Sequence, residues 1–164
     1  MVHYELKEYC CPSYPVGSNI MSAIRYIDLV YDILFPKITT DVVVIWVRGS
    51  SGAILGALLA AKIGEKAFIA HVKKQGESSH SDGNHFYIPD GTKTHIILDD
   101  FLSSGATVNE IYKAANKYTR KIDYLILSMT QDGQIDFSPE HLICDSSFHR
   151  LKLKIEEPIL DIKF

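Results

Sequence analysis

The chain carries two patterns of apolar residues, one at helical spacing and one in continuous runs, and together they predict most of its helices and strands. Residues 18–35, SNIMSAIRYIDLVYDILF, place apolar side chains on one face of a helix, with Ser18 as the N-cap and Pro36 as the stop. Residues 41–47, DVVVIWV, are apolar on both faces, which is typical of a central strand in a parallel sheet. Residues 53–63, AILGALLAAKI, predict a second helix.

Strands and helices continue to alternate through the rest of the chain. Gly64 is placed to end the second helix as its C-cap, and a polar, glycine-bearing stretch at 74–85 predicts a surface loop. Two short segments stay open: FYIP at 86–89, and RLKLKI at 150–155, which alternates like a half-exposed strand without revealing its partner. The remaining predicted elements are strands at 67–72, 94–98 and 122–129 and a helix at 106–119.

The repeated order of strand, helix and strand predicts an α/β fold with a central parallel sheet flanked by helices. The chain shows no internal repeat, low-complexity tract or linker, so we expect residues 1–164 to form a single domain. Ligands of such sheets bind beyond the carboxyl ends of the strands. Two turns follow predicted strands, RGSSG at 48–52 and DDFLSSGAT at 99–107, so we expect them to face each other across one cleft.

Composition and charge disfavour several functional classes. The chain has 164 residues, 46% of them hydrophobic, and a net charge of −3 with scattered basic residues, so a nucleic-acid partner is not expected. Its three cysteines, Cys10, Cys11 and Cys144, lack the spacing of a zinc site or a disulfide framework. The sequence has no signal-peptide pattern and no apolar run of about 18 residues, so we expect a cytoplasmic protein without a membrane partner.

The turn at 103–107, SSGAT, is a candidate anion site. Small residues entering a helix direct several backbone N–H groups to one point beside the positive end of the helix dipole, which suits a phosphate group. Ser103, Ser104 and Thr107 add hydroxyl donors, and Gly105 lets the backbone approach a ligand closely. An ordinary turn with a Ser/Thr helix cap has the same composition, so the turn alone leaves both interpretations open.

Asp99 and Asp100 directly follow the apolar run of the predicted strand at 94–98. Side-chain directions alternate along a strand and burying an unpaired carboxylate is costly, so we expect these acids to accept hydrogen bonds from a ligand's hydroxyl groups, directly or through hydrated Mg²⁺. Solvent exposure or pairing with a lysine is the alternative. A P-loop nucleoside triphosphatase is disfavoured because the chain has no GxxxxGKS or GxxxxGKT loop, and a receiver domain would not need the serine-glycine-threonine turn.

Arg48 and the turn that follows it form a second candidate anion site, in which a cation stands beside several backbone N–H groups. The turn at 48–52 is weak evidence for an anion site by itself, but the evidence is stronger if this turn faces the turn at 103–107. Two anion sites on either side of two hydroxyl-accepting carboxylates describe a sugar phosphate that carries a second phosphate group.

With these residues in view, the chain resembles the type I phosphoribosyltransferases. HIILDDFLSSGAT, 95–107, is similar to that family's motif for 5-phosphoribosyl 1-pyrophosphate (PRPP), although His95 stands where an apolar residue is usual. Residues 42–64 resemble the first strand, pyrophosphate loop and helix, most closely those of bacterial enzymes for 6-oxopurines, and residues 71–85 resemble the flexible catalytic loop. The resemblance covers about residues 40–130, so the N-terminal helix and the C-terminal segment are accessory to this core.

The resemblance implies transfer of ribose 5-phosphate from PRPP to a nitrogenous base with release of pyrophosphate, by a Mg²⁺-dependent homodimer. It implies that Asp99 and Asp100 hold the ribose hydroxyls and Mg²⁺, and that Lys73 or Lys74 closes over the pyrophosphate, Lys74 being the catalytic choice. The pyrophosphate loop, which often contains a non-proline cis peptide in the family, corresponds to Arg48, Gly49, Ser50 and Ser51. The cradle of the 5-phosphate corresponds to Ser103, Ser104, Gly105, Ala106 and Thr107.

One departure from the family's pattern leaves open which base the protein accepts and whether it is catalytically active. Enzymes for 6-oxopurines usually place an aspartate third after the acid pair, where this chain has Ser103. Orotate- and adenine-type enzymes lack that aspartate, and the lysines at the start of the loop 71–85 suit an orotate-type enzyme. Phe148 is a further candidate for stacking on the base. The alternatives are a catalytically inactive regulator of this fold that binds PRPP or a nucleotide, and a phosphate-binding α/β domain unrelated to PRPP.

Overall fold

The structure is a computed structural model that describes residues 1–6, 20–39, 41–74, 86–130, 133–144, 152–153 and 160–162. The described helices are α1 (Ile20–Ile38), α2 (Gly49–Ile63) and α3 (Ala106–Ala115). The described strands are β1 (Val2–Glu5), β2 (Val42–Arg48), β3 (Ala67–Val72), β4 (Thr92–Leu102), β5 (Tyr124–Thr130), β6 (Gln134–Ile135), β7 (His141–Cys144), β8 (Lys152–Leu153) and β9 (Leu160–Ile162). Within these ranges, each helix is too short or too polar to cross a membrane.

Seven strands form one sheet in the order β3-β2-β4-β5-β7-β1-β9, and each pair of neighbours in it is parallel. A separate parallel pair is made by β6 and β8. Helices α1 and α2 pack on one face of the large sheet, whereas α3 packs on the other. The predicted α/β fold with a central parallel sheet flanked by helices is therefore confirmed. The two turns of interest follow β2 and β4, which are neighbours in the sheet.

The central strand β2 is buried on both faces, as its apolar run predicts. Trp46, in the middle of β2, is fully buried, and its indole N–H donates a hydrogen bond to Nδ1 of His95 at 3.1 Å. Burial lowers the pKa of His95, so its ring is neutral and Nδ1 can accept this bond. The histidine that departs from the family's apolar pattern thus satisfies the buried N–H of Trp46.

Helix α1 continues through Pro36 to Ile38, so the predicted stop at this proline is wrong. A proline disrupts a helix most in its interior, where it removes an N–H donor and crowds the preceding turn. Pro36 lies in the last turn, so it removes a single hydrogen bond of the helix, the one to the carbonyl of Asp32, and only Lys37 and Ile38 follow it. Lys37 also donates a hydrogen bond from Nζ to the carbonyl of Ile33 at 2.9 Å. The predicted N-cap, Ser18, lies outside the described residues.

Strand β4 is longer than predicted and includes the acid pair. Beyond the acids, Phe101 and Leu102 still pair with β5, so the following turn is carried farther out from the sheet. The predicted helix at 106–119 ends earlier, at Ala115, and residues 86–89 do not form a strand.

Strands from both ends of the chain join the large sheet, which the sequence did not predict. β1 lies between β7 and β9, and the C-terminal stretch 150–155 contains β8, which pairs with β6. Cys144 at the end of β7 is a buried thiol whose sulfur lies 3.3 Å from Nε2 of His3 on β1. Cys10 and Cys11 lie outside the described residues.

The turn between β4 and α3 is packed tightly against residues 133–136. Gly105 has a φ of 89°, a conformation that favours glycine, and a Cβ placed on it would overlap the backbone carbonyl of Gln134. Gly133 is similarly confined, because a Cβ there would lie 2.6 Å from the carbonyl oxygen of Ser103. Gly64 ends α2 as predicted and also has a φ of 89°, but a Cβ on it would meet nothing within 4 Å.

Gly105→Ala should destabilise the protein by more than its left-handed conformation alone requires. The conformation of Gly105, with φ of 89° and ψ of −7°, costs alanine about 1–2 kcal/mol, and the new methyl group must also displace the carbonyl of Gln134, which adds roughly 1–3 kcal/mol. Gly64→Ala is the uncrowded comparison and should cost about 1–3 kcal/mol, because its φ of 89° and ψ of −151° lie in a region almost confined to glycine. Urea denaturation measures both losses, and a loss below about 2 kcal/mol for Gly105→Ala would contradict the tight packing of this turn.

Candidate active site

A cavity of about 310 Å³ opens at the carboxyl edge of the sheet, beside the ends of β2 and β4. Residues from both predicted turns line it, so the two turns do face one cleft. This follows from the parallel pairing of β2 with β4, which brings the carboxyl ends of both strands to the same edge. The residues that line the cavity are Arg48, Gly49, Ser50, Ser51, Lys74, Asp99, Asp100, Phe101 and Thr107.

The cavity gathers most of the site residues predicted from the sequence and adds one. The added residue is Phe101, which the sequence analysis did not name as a site residue because the predicted strand ended before the acid pair. Its position directly after Asp100 could have identified it as a candidate. Other predicted residues lie nearby without lining the cavity. In the described part of the chain these are Lys73, Ser103, Ser104, Gly105 and Ala106.

The first turn of α2 lies close to Leu98 and Asp99 of β4. A Cβ on Gly52 would lie 3.6 Å from the carbonyl oxygen of Leu98 and 3.9 Å from Oδ1 of Asp99, which are ordinary van der Waals distances. The carboxyl group of Asp99 therefore stands beside a helix N-terminus, whose dipole favours negative charge. The same Oδ1 accepts a hydrogen bond from the backbone N–H of Asp100 at 3.0 Å.

Lys74 lies across the first residue of α2. A Cβ on Gly49 would lie 3.3 Å from Cε and 3.4 Å from Nζ of Lys74, and Gly49 has a φ of 70°. Glycine at this position therefore permits both the turn and the close approach of the lysine. Every peptide bond in the described residues is trans, so the cis peptide expected in this loop is not present. Residues 75–85, the rest of the predicted catalytic loop, lie outside the described residues.

Asp99 is the most perturbed acid of the cavity. Burial and, to a lesser extent, the negative charge of Asp100 raise its pKa to about 7, while Lys74 acts in the opposite direction. Asp99 is 5% exposed, so its ionised form has little access to water. A ligand that donates hydrogen bonds, or that brings a cation, would stabilise the ionised carboxylate. The fully buried Ser128 donates its hydroxyl to the backbone carbonyl of Asp100 and so fixes the backbone of the acid pair.

Arg48 presents a buried donor at the end of β2. Its Nε is buried and has no hydrogen-bond partner among the residues that the structure describes. A buried donor left without a partner costs roughly 1–3 kcal/mol, and more when it is charged. Since Arg48 also lines the cavity, a bound anion would supply the missing acceptor. This observation is independent of the helix N-termini and indicates the same class of ligand.

The turn at 103–107 supplies the third component of the site. Gly105, the N-cap of α3, has a left-handed conformation, and the N–H of Ala106 donates to Oγ of Ser104 at 3.3 Å. Thr107, in the first turn of α3, is half-buried and lines the cavity. A hydroxyl donor in the first turn of a helix thus lines the same cavity as the acid pair, and this helix packs on the face of the sheet opposite to α2.

The acid pair suits one mode of Mg²⁺ binding. Mg²⁺ usually keeps several waters and takes one or two carboxylates together with the phosphates of a substrate. In the described part of the chain, His, Cys, Asp and Glu side chains do not gather in any group of three or more that could hold a metal. Asp99 and Asp100 therefore fit Mg²⁺ that is bound jointly with a phosphorylated ligand.

The raised pKa of Asp99 predicts a pH dependence that Asp100→Asn should shift. In ¹³C NMR of the ligand-free protein, the carboxyl carbon of Asp99 should titrate near 7, and Asp100→Asn should lower that pKa by removing the neighbouring charge. Because the folded state holds this proton more tightly than the unfolded chain, the contribution of Asp99 to stability should fall as pH rises from 3.8 to about 7.

Asp90→Asn, in the exposed turn before β4, is the control and should leave the titration of Asp99 unchanged. A carboxyl carbon of Asp99 that titrates near 4 in the wild-type protein would show that burial does not perturb this group.

Comparison with known proteins gives no family model and no curated protein that matches the sequence. Several solved structures of other proteins are similar to this chain in fold. A purine phosphoribosyltransferase from Pyrococcus horikoshii is 15% identical with a TM-score of 0.53, over 98% of this chain and 99% of that chain.

Two further solved structures match over a smaller part of the chain. Adenine phosphoribosyltransferase from Saccharomyces cerevisiae is 20% identical with a TM-score of 0.52, over 70% of each chain. Orotate phosphoribosyltransferase from Aeropyrum pernix is 15% identical with a TM-score of 0.52, over 71% of this chain and 63% of that chain. At such identities the similarity shows architecture, and the chain has the type I phosphoribosyltransferase fold.

Proposed function

We propose that this chain is a phosphoribosyltransferase, which transfers ribose 5-phosphate from PRPP to a nitrogenous base and releases pyrophosphate. One observation carries the proposal: a single cavity combines an acid pair, of which Asp99 is buried and Asp100 half-buried, with an arginine Nε that has no hydrogen-bond partner among the described residues and with the N-terminal turns of two helices. PRPP has the matching chemistry, since it carries a diol between two phosphorylated positions. We also propose that the chain acts as one domain and as a homodimer, as the family resemblance implies.

Each part of PRPP has a complementary group in the cavity. Asp99 and Asp100 would accept hydrogen bonds from the ribose 2- and 3-hydroxyls. The 5-phosphate would lie against the turn at 103–107, with Thr107 reaching it from the cavity wall. The pyrophosphate would lie against the turn that contains Arg48, Gly49, Ser50 and Ser51, with Lys74 above it and Lys73 beside it. The solved yeast adenine phosphoribosyltransferase contains an imino-altritol bisphosphate together with adenine, which supports a ligand with two separated phosphates.

The charges of the cavity suit the reaction. Departure of pyrophosphate builds positive charge on the sugar ring and negative charge on the leaving group. Ionised Asp99 and Asp100 would stabilise the first, while Arg48 and Lys74 would stabilise the second. Mg²⁺, bound jointly by the acid pair and the substrate, would neutralise further charge on the pyrophosphate. Enclosure of the reacting centre would protect the sugar cation from water.

The base stays open, and Ser103 is the reason. A serine hydroxyl has no useful basicity near neutral pH, so it cannot replace the aspartate that serves the purine in enzymes for 6-oxopurines. Phe148, the predicted stacking residue, lies outside the described residues, whereas Phe101 offers an aromatic ring inside the cavity. The position of Ser103 also favours a second candidate function, a catalytically inactive protein that binds PRPP or a nucleotide as a regulator.

A base screen with PRPP and Mg²⁺ should detect pyrophosphate release with one of orotate, uracil, adenine, hypoxanthine, guanine, xanthine or nicotinate. The raised pKa of Asp99 belongs to the free enzyme, so kcat/KM should rise as pH increases through about 7. Binding of PRPP without turnover on any base would establish the regulator instead. Absence of PRPP binding would exclude both functions.

Asp99→Asn combined with Asp100→Asn tests the role of the acid pair in turnover. The double variant keeps the size of both side chains, so it should fold, and it should lose turnover by at least about 100-fold because both ribose acceptors and the Mg²⁺ ligands are altered. Asp90→Asn, remote from the cavity, should keep wild-type turnover. Unchanged activity in the double variant would remove the acid pair from the proposed mechanism.

A further inference from the structure

Residues 133–137 form a strap across the turn that leads into α3. The strap is held at one side by two apolar anchors: Ile135 is fully buried, and the ring of Phe137 stacks on Tyr112 of α3 at 4.3 Å between centroids. Gly133 and Gly105 let the strap and the turn approach each other closely, since a Cβ on either would overlap the opposite segment. The strap is therefore a fixed neighbour of the turn at 103–107.

Asn109 ties the strap to α3 through both halves of its side-chain amide. Its Nδ2 donates a hydrogen bond to the carbonyl of Gln134 at 3.1 Å, and its Oδ1 accepts one from the N–H of Asp136 at 2.9 Å. An amide offers a donor and an acceptor in one plane, so a single side chain holds the backbone on both sides of Ile135. Asn109 does not line the cavity, so any effect on a ligand must pass through the turn.

The strap in turn fixes the orientation of one peptide group in the turn. The N–H of Gln134 donates a hydrogen bond to the carbonyl of Ser104 at 3.1 Å. In a trans peptide the carbonyl and the following N–H point in opposite directions, so the N–H of Gly105 points away from the strap. An anion site made of backbone N–H groups depends on such orientations. If this peptide turned over, a carbonyl oxygen would replace an N–H on the ligand side.

We propose that Asn109 is a positioning residue for phosphate binding: through the strap it holds the turn at 103–107 with its N–H groups directed toward the ligand. The inference rests on the proposed function, because it takes this turn as the site of the 5-phosphate. Asn109 would not touch the phosphate. Its removal should weaken binding at this turn and spare the pyrophosphate turn at Arg48, which the strap does not contact in any described hydrogen bond.

Calorimetric titration of two ligands, ribose 5-phosphate and Mg²⁺-pyrophosphate, separates the two turns. Asn109→Ala should weaken ribose 5-phosphate binding by about tenfold, the effect expected from losing one or two ordinary hydrogen bonds, and should leave pyrophosphate affinity within about twofold. Asn116→Ala, at the exposed C-cap of the same helix, is the matched control and should change neither affinity. A purely structural role would weaken both ligands together, and that result would overturn the proposal, as would unchanged binding of both.

A second pair of variants tests the hydrogen bond between the strap and the carbonyl of Ser104 by changing Gln134 instead of Asn109. Gln134→Pro removes the N–H that holds the carbonyl of Ser104, whereas Gln134→Ala alters only an exposed side chain. Gln134→Pro should reproduce the selective loss of ribose 5-phosphate binding, and Gln134→Ala should bind like the wild type. If Asn109→Ala fails to fold, this pair decides the matter, because equal affinities of the two Gln134 variants would refute the role of the strap.

The outcome for the wild-type protein separates this inference from the proposed function. Wild-type binding of ribose 5-phosphate with no selective loss in Asn109→Ala overturns the inference alone. Failure of the wild-type protein to bind either ligand overturns the proposed function, and the inference falls with it.

Discussion

The parallel pairing of β2 with β4 is the constraint on which the rest of the site depends. The two strands are neighbours in the interior of the sheet, and the apolar run of each is buried on both faces. Their carboxyl ends therefore cannot separate without exposing the core on both sides. Arg48 ends one strand, and Asp99 and Asp100 lie near the end of the other. Opposite charges from distant parts of the sequence are thus brought to one edge by apolar side chains that never touch a ligand.

The edge gathers charges that the protein itself only partly compensates. Burial and the charge of Asp100 hold the pKa of Asp99 at about 7, and the Nε of Arg48 is buried without a hydrogen-bond partner in the described part of the chain. Both conditions cost stability in the ligand-free protein, since buried polar groups are normally hydrogen-bonded. A diol with a phosphate on either side would satisfy both groups at once. The same features that disfavour the empty site therefore favour a ligand of this chemistry.

The sequence predicted the centre of this architecture better than its margins. The run that contains Trp46 and the run that precedes Asp99 are both apolar on both faces, so the sequence identified them as interior strands of a parallel sheet. The convergence of the turns that follow these strands could be predicted from the same pattern. The prediction at Pro36 was wrong because the effect of a proline depends on its place in the helix, and in the last turn it removes a single hydrogen bond of the helix. The length of β4 was underestimated because its pairing with β5 extends it past the acid pair, and the sequence of β4 alone does not record that pairing.

The outer strands and the strap were beyond prediction for a related reason. β1 and β9 are short and contain polar residues such as His3 and Asp161, so their place in the sheet comes from their partners and not from their own pattern. The strap alternates polar and apolar residues, but over only four positions, 134–137, which is too short a pattern to indicate its partner. Its position is determined by two buried apolar residues, Ile135 and Phe137, and by an asparagine on a different element. The residues that shape the anion turn are therefore visible only in three dimensions.

We propose that one cavity holds both ends of a doubly phosphorylated pentose. Titration of PRPP with the protein and Mg²⁺, followed by ³¹P NMR, measures the two ends separately because the 5-phosphate and the pyrophosphate give separate signals. Both signals should shift and reach saturation at the same protein concentration. Movement of the signals at different protein concentrations, or no movement with protein in excess, would contradict it.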